Sequence, residues 1–166
     1  MSTLSVDTIQ GQTTAANVKM PVGTPIQVVS GNPAGGVGFD TTTGTEFNIF
    51  TLNITPKYNT SKILVLCDIG MYMNGDAAQI RGDFMIRRDT TLIRGTESGG
   101  TGYFRDGSGR IKSWMTSFNH LDSPSTTSQI TYKMAWKGHT HAAGGQFNEH
   151  YTSMTLMEIA QWVLWM

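Results

Sequence analysis

Residues 128–136 read SQITYKMAW, and this stretch decides the fold class. Large apolar and aromatic side chains occupy every second position, at Ile130, Tyr132, Met134 and Trp136. Because successive side chains of a strand point to opposite faces of a sheet, this alternation predicts a strand with one buried face. The positions between them are polar or small, as is typical of a strand whose second face meets solvent.

The same alternation recurs along the chain in short segments that end at turn residues. Six apolar side chains alternate between Ile63 and Met73, where the run meets Asn74-Gly75-Asp76. Further β-prone segments lie at 46–54, 79–88, 92–94, 110–118 and 154–166. No helical pattern of ten residues or more competes with them. The sequence therefore predicts an all-β fold of seven or eight strands, an antiparallel β-sandwich or jelly-roll-like domain.

Three stretches between these segments show no usable strand period and are rich in Gly, Thr, Ser or Asn. They are predicted as loops at 31–45, 95–109 and 137–148. Since loops carry most binding residues in β proteins, they are the candidate contact surfaces.

Charge excludes one class of partner. The chain has 166 residues with 12 Lys and Arg against 12 Asp and Glu, and only 14% of its residues are charged. A neutral chain lacks the basic surface that nonspecific nucleic-acid binding requires. Few charges also give little protection against association. We therefore expect no nucleic-acid partner, and either a surface largely covered by other protein or one unusually rich in neutral polar groups.

The two ends differ from the central segments. Residues 1–24 are polar and Thr-rich, and their main apolar residues are Leu4, Val6 and Ile9. Because Gly and Pro interrupt this segment, an extended N-terminal arm is predicted. Residues 25–166 form the predicted β-sandwich domain. The chain closes on WVLWM at 162–166, and this apolar segment is predicted to be buried against its own core or a neighbouring subunit.

No targeting signal is visible in the sequence. The start MSTLSVDTIQ has neither the basic residues nor the apolar run of a secretory signal, and no apolar run is long enough to span a membrane. We expect synthesis in a cytoplasm and no membrane partner.

Three motifs have both a functional and a structural interpretation. Cys67 stands alone in an apolar run, which favours a buried side chain over a nucleophile. The tripeptide Arg81-Gly82-Asp83 resembles an adhesion motif, but it falls within a predicted strand, with Arg81 and Asp83 on the outward polar face. His139 and His141 are weak metal candidates, because in a strand they would share a face. Glu149, His150 or the same histidine pair from symmetry-related chains could complete such a site.

Catalytic patterns are not found in the sequence. No Gly-rich stretch has the form of a phosphate-binding loop, no nucleophile elbow occurs, and the acids are scattered rather than paired. We therefore predict a protein that is not an enzyme and needs no cofactor. Glu158 lies in an apolar run and must find a hydrogen-bond donor if it is buried, and one hypothesis pairs it with Arg87 or Arg88.

Several segments, in order along nearly the whole chain, resemble small tail-fibre and related virion structural proteins of bacteriophages, of the type common in marine and cyanobacterial phages. They are MSTLSVDTIQ at 1–10, PVG at 21–23, IQVV at 26–29, ITPK at 54–57, SKILV at 61–65, IRRDTTLIRG at 86–95, LDSP at 121–124, TYK at 131–133 and TLMEIA at 155–160.

The resemblance implies a structural protein of the virion, with other virion proteins as partners. It implies a homotrimeric tail-fibre or fibre-tip subunit that docks through its arm, with Leu4, Val6 and Ile9 as attachment residues. Trp162, Leu164 and Trp165 are then subunit-interface candidates, and loops contact the host surface, a receptor or glycan, or other fibre proteins. A capsid decoration protein or a neck or head fibre is the alternative. A carbohydrate-cleaving tailspike domain is a weaker one.

Overall fold

The computed structural model describes residues 21–40, 44–74, 79–95, 102–105, 112–140, 144–147 and 151–161. This part of the chain is built from strands, which confirms the predicted all-β class. The strands are β1 (Pro25–Gly31), β2 (Val37–Asp40), β3 (Glu46–Ile54), β4 (Lys62–Asn74), β5 (Gln79–Arg88), β6 (Thr91–Arg94), β7 (Gly102–Arg105), β8 (Lys112–Asp122), β9 (Ile130–Thr140), β10 (Gly144–Phe147) and β11 (Ser153–Ile159).

The first sheet, here called sheet A, is organised around the long strand β4. Strand β8 pairs with β4 along one edge, and β11 and β10 pair in succession along the other. Strand β1 then pairs with β11, and β2 pairs with β10. The sheet therefore has four strand positions. Strands β8 and β4 each fill one position, β11 and β10 share the third, and β1 and β2 share the fourth.

The second sheet, sheet B, repeats this plan. Strand β9 lies between β3 and β5, and the far edge of β5 pairs with β7 at one end and β6 at the other. All pairings in both sheets are antiparallel. Two four-position sheets whose chain crosses repeatedly from one to the other form a jelly-roll sandwich.

The core lies between the inner faces of the two sheets. Every second side chain of β4 from Ile63 to Met71 is at most 2% exposed, and Tyr132, Met134 and Trp136 of β9 face them at 0–1%. The rings of Phe84 and Trp136 pack with centroids 4.7 Å apart. The period-two patterns of these two strands are thus confirmed.

Strand β3 departs from the predicted pattern at one point. Its pairing with β9 shifts register between Asn48 and Phe50, which is the signature of a β-bulge. The extra residue turns Ile49 into the core, where it is 3% exposed, while Phe50 and Leu52 are half-buried against that core. A bulge inserts one residue without changing composition, so alternation alone did not reveal it.

The three predicted loops are wrong in part, because each contains a short strand. Strand β2 lies within 31–45, β7 within 95–109, and β10 together with the end of β9 within 137–148. Strands β7 and β10 pair their backbones with the longer β5 and β4, and β2 pairs in turn with β10. Their pairing depends on backbone hydrogen bonds rather than on alternating side chains, and this explains the missing sequence signal.

The N-terminal boundary of the sandwich lies beside its last strand. Gly23 donates its N–H to the carbonyl of Ala160, and Ala160 donates to the carbonyl of Thr24, each at 2.9 Å. Strand β1 begins one residue later, at Pro25. Residues 1–20 lie outside the described part of the chain, so the division into an arm and a domain stays a prediction. Within the described ranges, no helix has the length and apolar character to cross a membrane.

Candidate interaction surface

The outer face of sheet A carries an apolar row that crosses all four strand positions. Register places Leu121 of β8 opposite Leu64 of β4, Leu64 opposite Met157 of β11, and Met157 opposite Val28 of β1. Directly opposed residues of antiparallel strands point to the same face, so the four side chains lie side by side. Val28 is 56% exposed and Leu121 is 47% exposed.

Polar side chains lie next to this row. The neighbouring positions are Asn119, Leu66, Thr155 and Ser30, again directly opposed across the four strands. The hydroxyl oxygens of Ser30 and Thr155 are 3.1 Å apart, which confirms that these side chains share a face. In these two rows the outer face thus combines apolar side chains with small neutral polar groups, and the charged Lys62 and Asp68 lie beyond the rows on β4.

A break in the sheet lies farther along the same face. Strands β10 and β11 are separated opposite Gly70, where the Thr152 hydroxyl accepts from the Gly70 N–H at 3.2 Å and donates to the Gly70 carbonyl at 3.1 Å. A Cβ at Gly70 would lie 2.2 Å from the Cβ of Tyr151, so a side chain cannot fit there. The buried Thr152 side chain therefore replaces the missing strand, and the half-exposed Tyr151 and Met115 lie beside the break.

Glu158 is fully buried and is held by groups other than the predicted arginines. Its Oε1 accepts from the backbone N–H of Lys57 at 2.8 Å and of Tyr58 at 3.3 Å. Its Oε2 accepts from the side-chain amide of Gln27 at 3.2 Å. The carboxylate thus ties the β3–β4 connection to sheet A. The hypothesis of an arginine partner is wrong, although the requirement for a donor is confirmed.

Those arginines hold other carboxylates. Arg87 binds both oxygens of Glu46 through its Nε, and Arg88 Nη1 donates to both oxygens of Asp122 at 3.0 Å. Tyr132 donates to Asp122 Oδ2 at 2.7 Å. The pKa of Tyr132 is raised above its usual range, mainly because the side chain is buried and secondly because of this hydrogen bond. Asp122 ends a strand of sheet A, so this group joins the two sheets.

Cys67 is buried, as predicted, with 1% exposure. Burial, with the charge of neighbouring Asp68 adding to it, raises the pKa of the thiol from 9.0 to about 12. Because the thiolate is the reactive form, these surroundings make Cys67 a packing residue rather than a nucleophile.

The Arg81-Gly82-Asp83 segment lies in strand β5, as predicted. The prediction of a solvent-facing Asp83 is wrong, since this side chain is 0% exposed. Gly95, the residue just beyond β6, lies against Met85 of β5. Gly82 lies against the Trp136 indole, where a Cβ would approach Cζ2 to 2.1 Å. A buried aspartate beside a packed glycine does not present an adhesion motif.

Most of the predicted site residues lie outside the described part of the chain. These are the attachment candidates Leu4, Val6 and Ile9, the interface candidates Trp162, Leu164 and Trp165, and the metal candidate His141 with Glu149 and His150. The backbone of His139 belongs to β9. Among the described residues, no group of three His, Cys, Asp or Glu could hold a metal ion. These assignments therefore stay predictions.

Sequence reasoning missed the apolar row and the inter-sheet group. The row unites residues from four strands that are distant in sequence, and only their register brings them together. The signal that was present is the outward apolar positions of β4, at Leu64 and Leu66, on a strand whose other face already supplies the core.

Comparison with known proteins finds structures with a similar fold but assigns this chain to no family. No protein-family model matches the chain, and no curated protein does. The structure of the infectious bursal disease virus Gt strain matches with a TM-score of 0.55 over 95% of this chain, at 11% identity, and the match covers 37% of that chain.

Two further solved structures match less closely. That of the infectious bursal disease virus Gx strain gives 0.48 over 97% of this chain and 43% of that chain, at 11% identity. Eiger TNF from S. frugiperda gives 0.47 over 86% of this chain and 98% of that chain, at 6% identity. This chain therefore spans less than half of the two viral chains. At such identities the likeness establishes the fold alone.

Proposed function

We propose that this chain is a structural subunit of a virus particle. The observation that carries the proposal is the jelly-roll sandwich, which matches a virus structure over 95% of this chain. The ordered resemblance of its segments to small phage virion proteins supports the same conclusion independently. Its place of action is then the virion, assembled in the cytoplasm of the host.

The role within the particle is assembly rather than catalysis. The buried acids Asp122 and Glu158 bind groups of their own chain, and Cys67 is a buried thiol with a raised pKa. These side chains stabilise the sandwich and leave their reactive atoms engaged or covered. A polysaccharide-release assay with purified protein tests this, and we expect no product. Release of oligosaccharides would contradict the proposal and favour a tailspike domain.

Within the particle we propose a trimeric tail-fibre or fibre-tip subunit. The N-terminal arm docks on the virion, and connections at the ends of the sandwich contact the host surface or other fibre proteins. The support is the resemblance of residues 1–10 and 21–29 to the start of such fibre proteins.

Arm docking is tested by three apolar substitutions, Leu4→Asn, Val6→Asn and Ile9→Asn, in one variant. The matched control changes the polar neighbours Ser5, Thr8 and Gln10 to Asn. We expect the apolar variant to keep its mass in solution and to be lost from purified particles, while the control is incorporated. Equal incorporation of both variants would contradict docking through these side chains.

A capsid decoration protein or head fibre is the second candidate, because the matched structure is that of a whole virus. Gold labelling of a tagged chain on intact particles, viewed by electron microscopy, separates the two. Label at the tail supports the fibre subunit. Label over the capsid faces or neck overturns it in favour of the second candidate, and particles without label overturn both.

A further inference from the structure

The outer face of β4 has an order of side chains that is complementary to itself when the strand is reversed. Between the core positions, the outward residues are Lys62, Leu64, Leu66 and Asp68. Read in one direction they run cation, apolar, apolar, anion. A second β4 laid antiparallel over the first places anion over cation at both ends and leucine over leucine in the middle.

The neighbouring strands add apolar side chains beside Leu64, and in the antiparallel arrangement these would lie over the polar side chains of Asn119, Thr155 and Ser30 of the second copy. Leu64 lies between Leu121 and Met157, and Met157 is followed by Val28. Val28 and Leu121 are 56% and 47% exposed in the single chain, so the row ends in side chains that water still reaches. Contiguous apolar groups rimmed by polar ones mark a contact surface, whereas isolated exposed apolar side chains do not.

We propose that a second copy of this chain packs face to face on sheet A, about a two-fold axis perpendicular to β4 at the level of Val65. Leu64 of each copy then lies opposite Leu66 of the other. Lys62 of each copy lies opposite Asp68 of the other, so the ion pair forms twice. Sheets packed face to face are separated by about 10 Å, which lets such side chains interdigitate.

The charges favour a second copy over an unrelated partner. A uniformly acidic or basic partner would match one of Lys62 and Asp68 and repel the other. A two-fold contact between identical surfaces satisfies both, because each residue meets its complement in the other copy. With 12 positive and 12 negative side chains, two copies also carry no net charge that would oppose their approach.

The size of the face sets the strength of this contact. Four strands spaced by about 4.8 Å, over seven residues at about 3.3 Å each, give a projected area of roughly 440 Å² per copy. Two copies then cover roughly 880 Å² in total, which is below the size of standard specific interfaces and typical of weak, transient contacts. We therefore expect association that depends on concentration in solution and that is reinforced where many copies are held together.

The inference does not rest on the proposed function, and the two can fail separately. If the chain trimerises through other surfaces, the face-to-face contact joins two trimers. The mass of the particle in solution then doubles from that of three copies to that of six. A trimer that never doubles overturns the face contact and leaves the trimer. A dimer with no trimer supports the face contact and contradicts the homotrimer. Particle labelling tests the virion role independently of either result.

The experiment uses charge reversal at Lys62 and Asp68, read by sedimentation over a wide range of protein concentration. Each single variant, Lys62→Asp or Asp68→Lys, places like charges opposite each other in its own symmetric pair, and we expect its self-association to weaken about tenfold or more. An equimolar mixture of the two single variants places opposite charges at both contacts. We expect the mixture, and the doubly reversed chain, to recover association.

The matched control is Asn53→Asp, a charge change at an exposed position of β3 on sheet B, which should leave association unchanged. Melting of each variant checks that it folds. Three results would each overturn the proposal: association that both single variants retain, a mixture that associates no better than its components, or an unmodified chain whose mass never doubles at high concentration.

Discussion

The hydroxyl of Tyr132 donates a hydrogen bond to Asp122 Oδ2 at 2.7 Å, across the interior of the sandwich. Tyr132 lies in the middle of sheet B, and Asp122 is the last residue of the edge strand β8 in sheet A. Together with the Arg88–Asp122 pair, the bond therefore joins two sheets whose described core side chains are mostly apolar. Arg88 compensates the charge of the same carboxylate from the strand next to Tyr132.

Removal of this hydroxyl should weaken the sandwich measurably. In Tyr132→Phe the ring still fills its place, but the buried carboxylate loses one donor, which costs about 1–3 kcal/mol of unfolding free energy. Denaturant unfolding measures the change. Tyr151→Phe is the control, because Tyr151 is 56% exposed and its hydroxyl has no comparable burial. Equal stability of the two variants would show that the inter-sheet bond contributes nothing.

Glu158→Gln should destabilise the chain by about 1–3 kcal/mol, because a neutral amide oxygen accepts less strongly than a carboxylate from the two backbone N–H groups of Lys57 and Tyr58. Thermal or denaturant unfolding reports the loss. The effect should add to that of Arg88→Gln, since Arg88 binds Asp122 instead. A coupling energy well above about 0.5 kcal/mol between the two variants would contradict the separation of these groups.

The buried thiol makes stability depend on alkaline pH. The folded chain raises the pKa of Cys67 from 9.0 to about 12, so it holds the proton more tightly than the unfolded chain does. The unfolding free energy contributed by this group is therefore complete below pH 9 and decreases as the pH rises toward 12. At pH 10.5 the loss is about 2 kcal/mol.

The measurement compares unfolding at pH 8 and pH 10.5 for the native chain and for Cys67→Ala. Tyr132 titrates in the same direction, so only the difference between the two chains reports the thiol. We expect the alanine variant to lose less stability between these pH values. The same loss in both chains would mean that the thiol proton is not held by folding.

Gly82→Ala should destabilise by about 1–3 kcal/mol or more, because the added methyl group would lie 2.1 Å from the Trp136 indole. Trp136 is 1% exposed and its ring packs against that of Phe84 with centroids 4.7 Å apart. The double variant Gly82→Ala with Trp136→Leu removes the obstructing ring. Its destabilisation should be smaller than the sum of the two single effects, as unfolding curves would show. Simple additivity would contradict the close approach.

Side-chain alternation predicted the parts of the fold that lie at the centre of each sheet. Strands β4 and β9 are long and bury one complete face, so their period is visible in the sequence. Strands β2, β7 and β10 have four residues each, and β10 begins with two glycines. Backbone pairing of β10 to β4, of β2 to β10 and of β7 to β5 holds them in place, and that pairing leaves little trace in residue type.

The candidate surface was less accessible from the sequence than the fold. The need of a buried Glu158 for a donor could be predicted, but two of its three partners are backbone N–H groups of a connection, which any residue except proline would supply. The same limit applies to the row from Leu121 to Val28. Its members belong to four strands, and a shift of one residue in any pairing would move that member to the other face.

The paired interruptions in sheet A bear on how copies of this chain avoid uncontrolled fibre growth. An open, continuous strand edge can template further strands from other molecules. Here the β1–β2 edge is interrupted between Gly31 and Val37, the edge of sheet B is divided between β6 and β7, and β3 is bulged. Among the described strands, this leaves β8 as the one uninterrupted edge. Strands therefore cannot be added indefinitely to both edges of a sheet, whereas closed oligomers with a fixed number of copies can still form.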